Sequence, residues 1–540
     1  MPTRCNVCCT IVNSQRGANA KWSEKLRTSQ ASESVNSVLT LPPSWIPDNP
    51  MPATAKIMSL SPGDDKLNAG RSHNQTEKNG RLGLVRALGP AAASSIVLGT
   101  MIGTGIFLKP SEVASDARSG GWAIAAWVVG GVVSLLGALC YVELGSSIPE
   151  AGGEYVYLGR GLGKAWGFLF GWTHSMVARP ASVAAIAAGF LRFCGFLWPT
   201  LANTVGVFHL QGLTSRVHVE VALTWAQAIT AITLITITFV NYLGVRQGGR
   251  LQVALTAVKV ISILAIIGAG LSRILGHVEP VNLLARFSFQ NGSFIGFWTA
   301  VAATAWAYDG WNDLNLVGSE VEDPGKNFHR VIVTGVFFVI VVFLLFNFVC
   351  LYALPIKALG SSQNPASDVF AALVGRKAAL WVTLILAVSA LGTLNSSILS
   401  GARVDYAMAR DGVFFRFAAQ IHPRFRTPGN ALVFQCGMAT LLALTGTFEE
   451  LTSLVMFANW MFYGMAVVSM MRMRKTEPEL PRPYRTWGYP VTPVLFVIGA
   501  FALSGGLWMA RPVRSSVGLL LILAGLIPYR WWREKARLGT

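Results

Sequence analysis

The chain has 540 residues, 52% hydrophobic and only 13% charged, with a formal net charge of +18 and a mean hydropathy of +0.49. A soluble protein carries about 25% charged residues, so a soluble enzyme, a disordered chain and a nucleic-acid binder are excluded. A basic chain this apolar reads as a membrane protein with Lys and Arg gathered on one side of the lipid bilayer, and seven cysteines make no disulfide framework.

Residues 1–83 hold ten basic and six acidic residues and no apolar run. Without an h-region they are no secretory signal; they read as a disordered cytoplasmic tail, with a later start at Met51 or Met58 as the alternative. Cys5, Cys8 and Cys9 lack a second Cys or His pair at ligand spacing, so no metal site is expected.

Crossing roughly 30 Å of hydrocarbon takes about 20 helical residues. Eight stretches contain no Asp, Glu, Lys or Arg: 87–108, 123–142, 221–245, 331–356, 378–402, 427–448, 451–471 and 486–510. Four more are shorter or carry internal charge: 165–191 with Arg179, 251–271 with Lys259, 294–317 with Asp309 and Asp313, and 515–529. Lipid offers no partner to a bare peptide group, so each must be helical. The expectation is an all-α integral membrane protein with 12 transmembrane helices.

Orientation follows from the connections. With the N-terminus inside and the tail counted from Lys66, inner segments carry 25 basic residues and outer loops 11. Both termini are therefore expected in the cytoplasm, in a cell membrane.

Two spans are interrupted. The first contains Gly99, Gly103 and Gly105, each costing about 1 kcal/mol relative to Ala inside a helix. Gly99 and Gly103 also form a G-x-x-x-G pair, which close helix packing alone would explain. The sixth span places Asp309 and Gly310 mid-helix, at the corresponding position five spans later. Matched breaks of this kind mark an inverted-repeat transporter with its site near the midplane. The second half of the first helix would begin near Thr104 with free N–H groups suited to a carboxylate. Carbonyls near Met101, and near Trp306 and Ala307, would suit an ammonium. One donor end beside two acceptor ends complements an α-amino acid zwitterion.

The run from Gly99 to Phe107, the Ile148-Pro149-Glu150-Ala151-Gly152-Gly153-Glu154-Tyr155 segment and the run from Ala307 to Asn312 resemble the amino acid–polyamine–organocation permeases. Within them the chain is most similar to the L-type amino acid transporter group and its bacterial relatives, over roughly 83–537. The resemblance implies two inverted five-helix repeats (84–272 and 292–472) with discontinuous first and sixth helices. Two extra helices (486–530) and a cytoplasmic C-terminus (531–540) follow. It implies substrate contacts from Met101, Gly103, Thr104, Gly105, Trp306, Ala307 and Asp309, with Trp306 as the aromatic gate. It also implies that the glycine-rich segment 149–163 is the inner gating element. Asp309 departs from the glycine often found there; its carboxylate could pair with the ammonium, titrate, or cap the following half-helix.

Lys259 lies nine residues beyond Arg250, roughly 13 Å deeper. An ammonium there is costly and must face the protein interior or a cavity. The resemblance makes it the ion-coupling residue, standing where relatives hold sodium between spans one and eight. It could titrate and couple protons, or act as a fixed cation. Arg179, before Pro180, reads either as a cation capping carbonyls freed by the proline or as a selectivity residue. Asn395 and Asn459 are pocket candidates or helix–helix glue. Residues 320–324 read as a helix end with solvated charges. No extra acidic residue is evident on those spans, which favours neutral amino acids.

The first reading is thus a secondary active amino acid transporter, working by exchange or proton symport. A sodium symporter is weaker because of Lys259. A cationic amino acid or polyamine exchanger and a non-transporting amino acid sensor are the alternatives. No enzyme motif and no cofactor motif is present. Animal L-type relatives join a glycoprotein through an outer-loop cysteine; residues 198–220 contain none, so a disulfide-linked partner is doubtful.

Overall fold

The computed structural model describes residues 83–202, 204–211, 218–277, 286–443 and 448–538. Among these, nine helices are long and apolar enough to cross a membrane. The cysteine-bearing tail lies outside the described residues.

Helix α1 (Pro90–Met101) starts on a proline, whose missing N–H costs nothing in a first turn. It stops at Ile102 and the extended Gly103, and the chain resumes as α2 (Thr104–Ala117). A left-handed Arg118 and an extended Ser119 then turn it into α3 (Gly120–Ser147). The glycine-rich segment 149–163 contains a short helix, α4 (Glu154–Gly161). The third span is α5 (Lys164–Thr173), a π-turn (His174–Ala178) and α6 (Arg179–Leu197). Pro180 falls in the first turn of α6, and the wider turn ahead of it accommodates the missing donor.

The segment beyond α6 departs from the all-helical expectation. Strands β1 (Thr204–Gln211) and β2 (His218–Thr224) form an antiparallel hairpin. Its sequence signal is the alternation His218-Val219-Glu220-Val221; the charge-free stretch 221–245 takes the last four residues of β2 into the next span. That span begins only at Trp225, as α7 (Trp225–Tyr242), followed by α8 (Val245–His277).

Helix α9 (Phe294–Ala307) is N-capped by Ser293, whose hydroxyl accepts from the Gly296 N–H at 3.0 Å. It ends in a turn through residues 308–312, after which come the single-turn α10 (Asp313–Leu316) and then α11 (Pro324–Ala353). Gly310 has φ 112°, a conformation that L side chains rarely adopt. The chain continues as α12 (Ile356–Ser361), α13 (Pro365–Val374), α14 (Arg376–Arg410), α15 (Gly429–Ala443) and α16 (Phe448–Thr476). It closes with α17 (Val491–Ala510), α18 (Pro512–Ala524) and α19 (Leu526–Leu538).

The two interrupted helices lie at the centre. α1 packs on α8, α11 and α14; α2 packs on α9; α14 lies along α6 and α8. Ile232, Ile235 and Phe239 of α7 and Ile261 of α8 remain exposed. Apolar side chains in that position suit contact with lipid.

Two sequence expectations are corrected at the α4 edge of the bundle. The eighth span was bounded at residue 402, but α14 runs on to Arg410, so Arg403 and Asp405 are helical and buried. Glu320 is not solvated: it is fully buried and takes two bonds from Arg403, at 2.7 and 2.9 Å. A carboxylate in an apolar interior needs such a partner. Exposed pairs also cross this edge, Arg160–Glu477 at 2.6 Å and Arg410–Glu150 at 3.6 Å.

Candidate functional site

The first break is built from backbone. The Ile102 N–H still reaches Leu98 O at 2.8 Å, while that of Gly103 turns back to Met101 O at 2.9 Å, ending the α-helical ladder. Thr104 and Gly105 open α2, where the first N–H groups have no intrahelical acceptor. Gly105 is a close-approach position: a Cβ there would sit 2.7 Å from Ala307 Cα. The start of α2 therefore lies directly against the end of α9. The G-x-x-x-G pair packs as well, Gly99 against Gln252 and Thr256, Gly103 against Thr393.

The second break is held by side chains. The Tyr308 hydroxyl donates to Trp127 O at 3.1 Å. Trp311 sits edge-on to Tyr141, with ring centroids 4.8 Å apart, and packs against Tyr463. The Tyr463 hydroxyl donates to Asp309 Oδ1 at 2.8 Å. Asp309 therefore does not cap the following half-helix; α10 starts from Asn312 without a side-chain cap.

A cavity of about 30 Å³ lies where the breaks meet. Met101, Gly103, Thr104, Gly105, Trp306 and Asp309 all line it, together with Arg179. That volume holds a water or two and not an amino acid. Two hydroxyls on its walls, Thr104 Oγ1 and Ser397 Oγ, are buried with no hydrogen-bond partner among the described residues. Buried polar groups ordinarily find partners, so these two are open to a polar ligand. Ala307 is buried behind the wall and supports Gly105.

Arg179 does not cap carbonyls. Its guanidinium bonds Asp313 Oδ1 at 2.7 Å and Oδ2 at 3.3 Å, and the Ser400 hydroxyl adds a bond to Oδ2 at 3.0 Å. The pair joins α6, α10 and α14. Asn459 borders an adjoining hollow with His174, Arg179 and Tyr463. Asn395 lies elsewhere, fully buried and bonded to Asn241, Gly248 and Gln252. It is helix–helix glue and not a pocket residue.

Lys259 is fully buried, and its ammonium donates to Gly99 O at 2.7 Å and to Thr393 Oγ1 at 2.9 Å. The Thr393 hydroxyl itself donates to Gly99 O at 3.0 Å. The lysine thus ties α8 to the end of α1 and to α14, immediately behind the first break.

Three contributors went unread in the sequence. Asp313 was counted only as an internal charge, although a buried arginine requires a buried carboxylate. Thr393 carried no signal. Asp405, accepting from Ser175, is an acidic residue on α14 that the truncated span concealed. It corrects the expectation that those helices hold none.

At the α4 side, Glu154 is fully buried and accepts from Asn312 Nδ2 at 2.7 Å. Burial pushes its carboxyl up to about 7. Tyr157 donates to Asn315 at 3.0 Å, so α4 grips the segment after the second break twice.

A helical membrane protein with two interrupted helices closing on a polar cavity is a transporter in form. The profile of the Amino acid permease family matches residues 88–528, and the chain belongs to that family. It is 31% identical over 464 residues to the serine/threonine exchanger SteT of Bacillus subtilis (85% of this chain, 99% of that one). It is 32% identical over 488 residues to the rabbit large neutral amino acids transporter small subunit 2 (88% and 86%). It is also 32% identical over 463 residues to the mouse Asc-type amino acid transporter 1 (85% and 83%). The chain is a membrane amino acid transporter and not an enzyme.

Proposed function

We propose that this chain exchanges small neutral L-amino acids across a cell membrane by alternating access around the two helix breaks. The observation that carries the reading is the apposition of the α2 N-terminus, the α1 end and the α9 end around one polar cavity. The substrate carboxylate meets the Thr104 and Gly105 N–H groups, and the ammonium meets the backbone oxygens of Met101, Trp306 and Asp309. The unpartnered Thr104 and Ser397 hydroxyls favour hydroxyl-bearing side chains. The relatives, a serine/threonine exchanger and a large neutral amino acids transporter among them, agree in class.

The proposed architecture is twelve spans in two inverted five-helix repeats, 84–272 and 292–472, with helices 11 and 12 over 486–530. The termini are cytoplasmic, following the 25-to-11 basic bias. Trp306 is the gate over the substrate. Lys259 serves as a built-in cation, a role supported by its bonds to Gly99 O and Thr393. Those same bonds fit sodium-independent exchange. A second reading, proton symport, draws on the burial of that lysine.

Uptake of labelled serine into proteoliposomes tests this. Uptake that requires internal amino acid and ignores an imposed pH gradient is expected. Uptake that follows the proton gradient and is lost in Lys259→Ala would establish the second reading. Binding without flux under either condition would make the protein a sensor.

A further inference from the structure

A second cavity, of about 170 Å³, lies between α2, α9 and α17, and Trp306 lines both it and the central cavity. Its lining includes Lys109, Glu112 and Asp116 from α2 and Arg511 from the end of α17. The three α2 residues stand at i, i+3 and i+7, one face of the helix. This is the helix whose N-terminus opens the central site. Lys109 lies roughly 6 Å along the axis from Gly105, and Asp116 roughly 10 Å beyond that.

The chamber thus carries two cations and two carboxylates, with Arg511 exposed and Glu112 and Asp116 half-buried. The Lys109 side chain is almost wholly buried and pairs with Glu112. Arg511 acts electrostatically on both Glu112 and Asp116. Together the four charges sum to zero, so the chamber holds neither a lone cation nor a lone anion preferentially. A zwitterion matches it: a carboxylate toward Lys109 and Arg511, an ammonium toward Glu112 and Asp116. Ala302, Ala303 and Leu507 supply an apolar wall for a side chain. Unlike the central cavity, this one has room for a small amino acid.

We propose that this chamber is a second, outer binding site for α-amino acid zwitterions, where a substrate waits behind Trp306. The proposal rests on the transport reading above and extends it by one site. Equilibrium binding of radiolabelled serine to the purified full-length protein tests it. Two serines per chain are expected at saturation. Arg511→Gln combined with Asp116→Asn should reduce this to one, with the affinity of the remaining site unchanged. Ala303→Leu, which fills the chamber without touching a charge, should do the same. The retained serine reports that each variant is folded. One serine per chain in the wild type, unaltered by these substitutions, overturns the outer site and leaves the transport reading standing. No binding in the wild type overturns both.

Discussion

The two helix breaks share a geometry and differ in what makes them. The first is almost entirely main chain: glycines let α1, α2, α9 and α14 approach, and the supporting charge, Lys259, stands behind the break. The second is a cluster of side chains, with Asp309 on Tyr463, Asp313 on Arg179, and Trp311 wedged among aromatics. In the proposed function, backbone chemistry would serve what every α-amino acid shares, and side-chain chemistry is where substrates would be told apart and movement gated. The first break should therefore tolerate little substitution, and the second should shift selectivity and stability separately.

Removing one partner of a buried ion pair leaves the other charge stranded, at about 3–5 kcal/mol. Asp313→Ala should accordingly lower the thermal midpoint of the purified protein more than any other single change at the site. The double variant Arg179→Met/Asp313→Leu should recover part of that loss. Equal damage from single and double variants would mean that the pair does not act as a unit. Gly105→Ala forces a Cβ against the Ala307 backbone. Overpacking of about 1–3 kcal/mol corresponds to a roughly tenfold to hundredfold loss of uptake, with surface expression retained. Unchanged transport would show that the two breaks need not touch.

Lys259→Met replaces a charge-assisted anchor by an apolar chain of similar length. Such bonds are worth about 1.5–3 kcal/mol of stability, so the thermal midpoint should fall, and uptake per folded molecule should fall with it. A lower midpoint with uptake per folded molecule unchanged would assign the lysine to the fold alone. Tyr463→Phe deletes the tyrosine's bond to Asp309 and should raise the KM for serine by about tenfold. An unaltered KM would remove Asp309 from the substrate wall.

The smallest effect belongs to Glu154. Its folded carboxyl is raised to about 7 from an ordinary 4.5, so the folded state binds the proton more tightly than the unfolded one. The stability this contributes is complete below about pH 4.5 and is lost as pH rises through 7. Glu154→Gln should flatten the decline in thermal midpoint between pH 5 and pH 7. A variant that keeps the wild-type slope would place the titration elsewhere.

The breaks were legible in the sequence because glycine and aspartate are anomalous in a run of apolar residues. The depth of Lys259 followed from helical rise. What stayed hidden was pairing across long distances in the chain. Nothing local links Arg179 to Asp313, Arg403 to Glu320, or Asn395 to Asn241 and Gln252. Span limits set by charge also cut α14 short, since its last turns run past the charge-free stretch and bury Arg403 and Asp405. The β1–β2 hairpin was missed because its alternating pattern abuts a truly apolar helix.

The ion pairs at the α4 edge are of two kinds. Arg403–Glu320 is sealed from water, whereas Arg160–Glu477 is about one-third exposed on both sides. Mobile ions screen exposed charges within about 8–10 Å at ordinary ionic strength and barely reach buried ones. Added salt should thus loosen the outermost latch on this edge while leaving the sealed one shut. In the proposed transport cycle, the opening of that face would then come in two stages, distinguishable by their dependence on ionic strength.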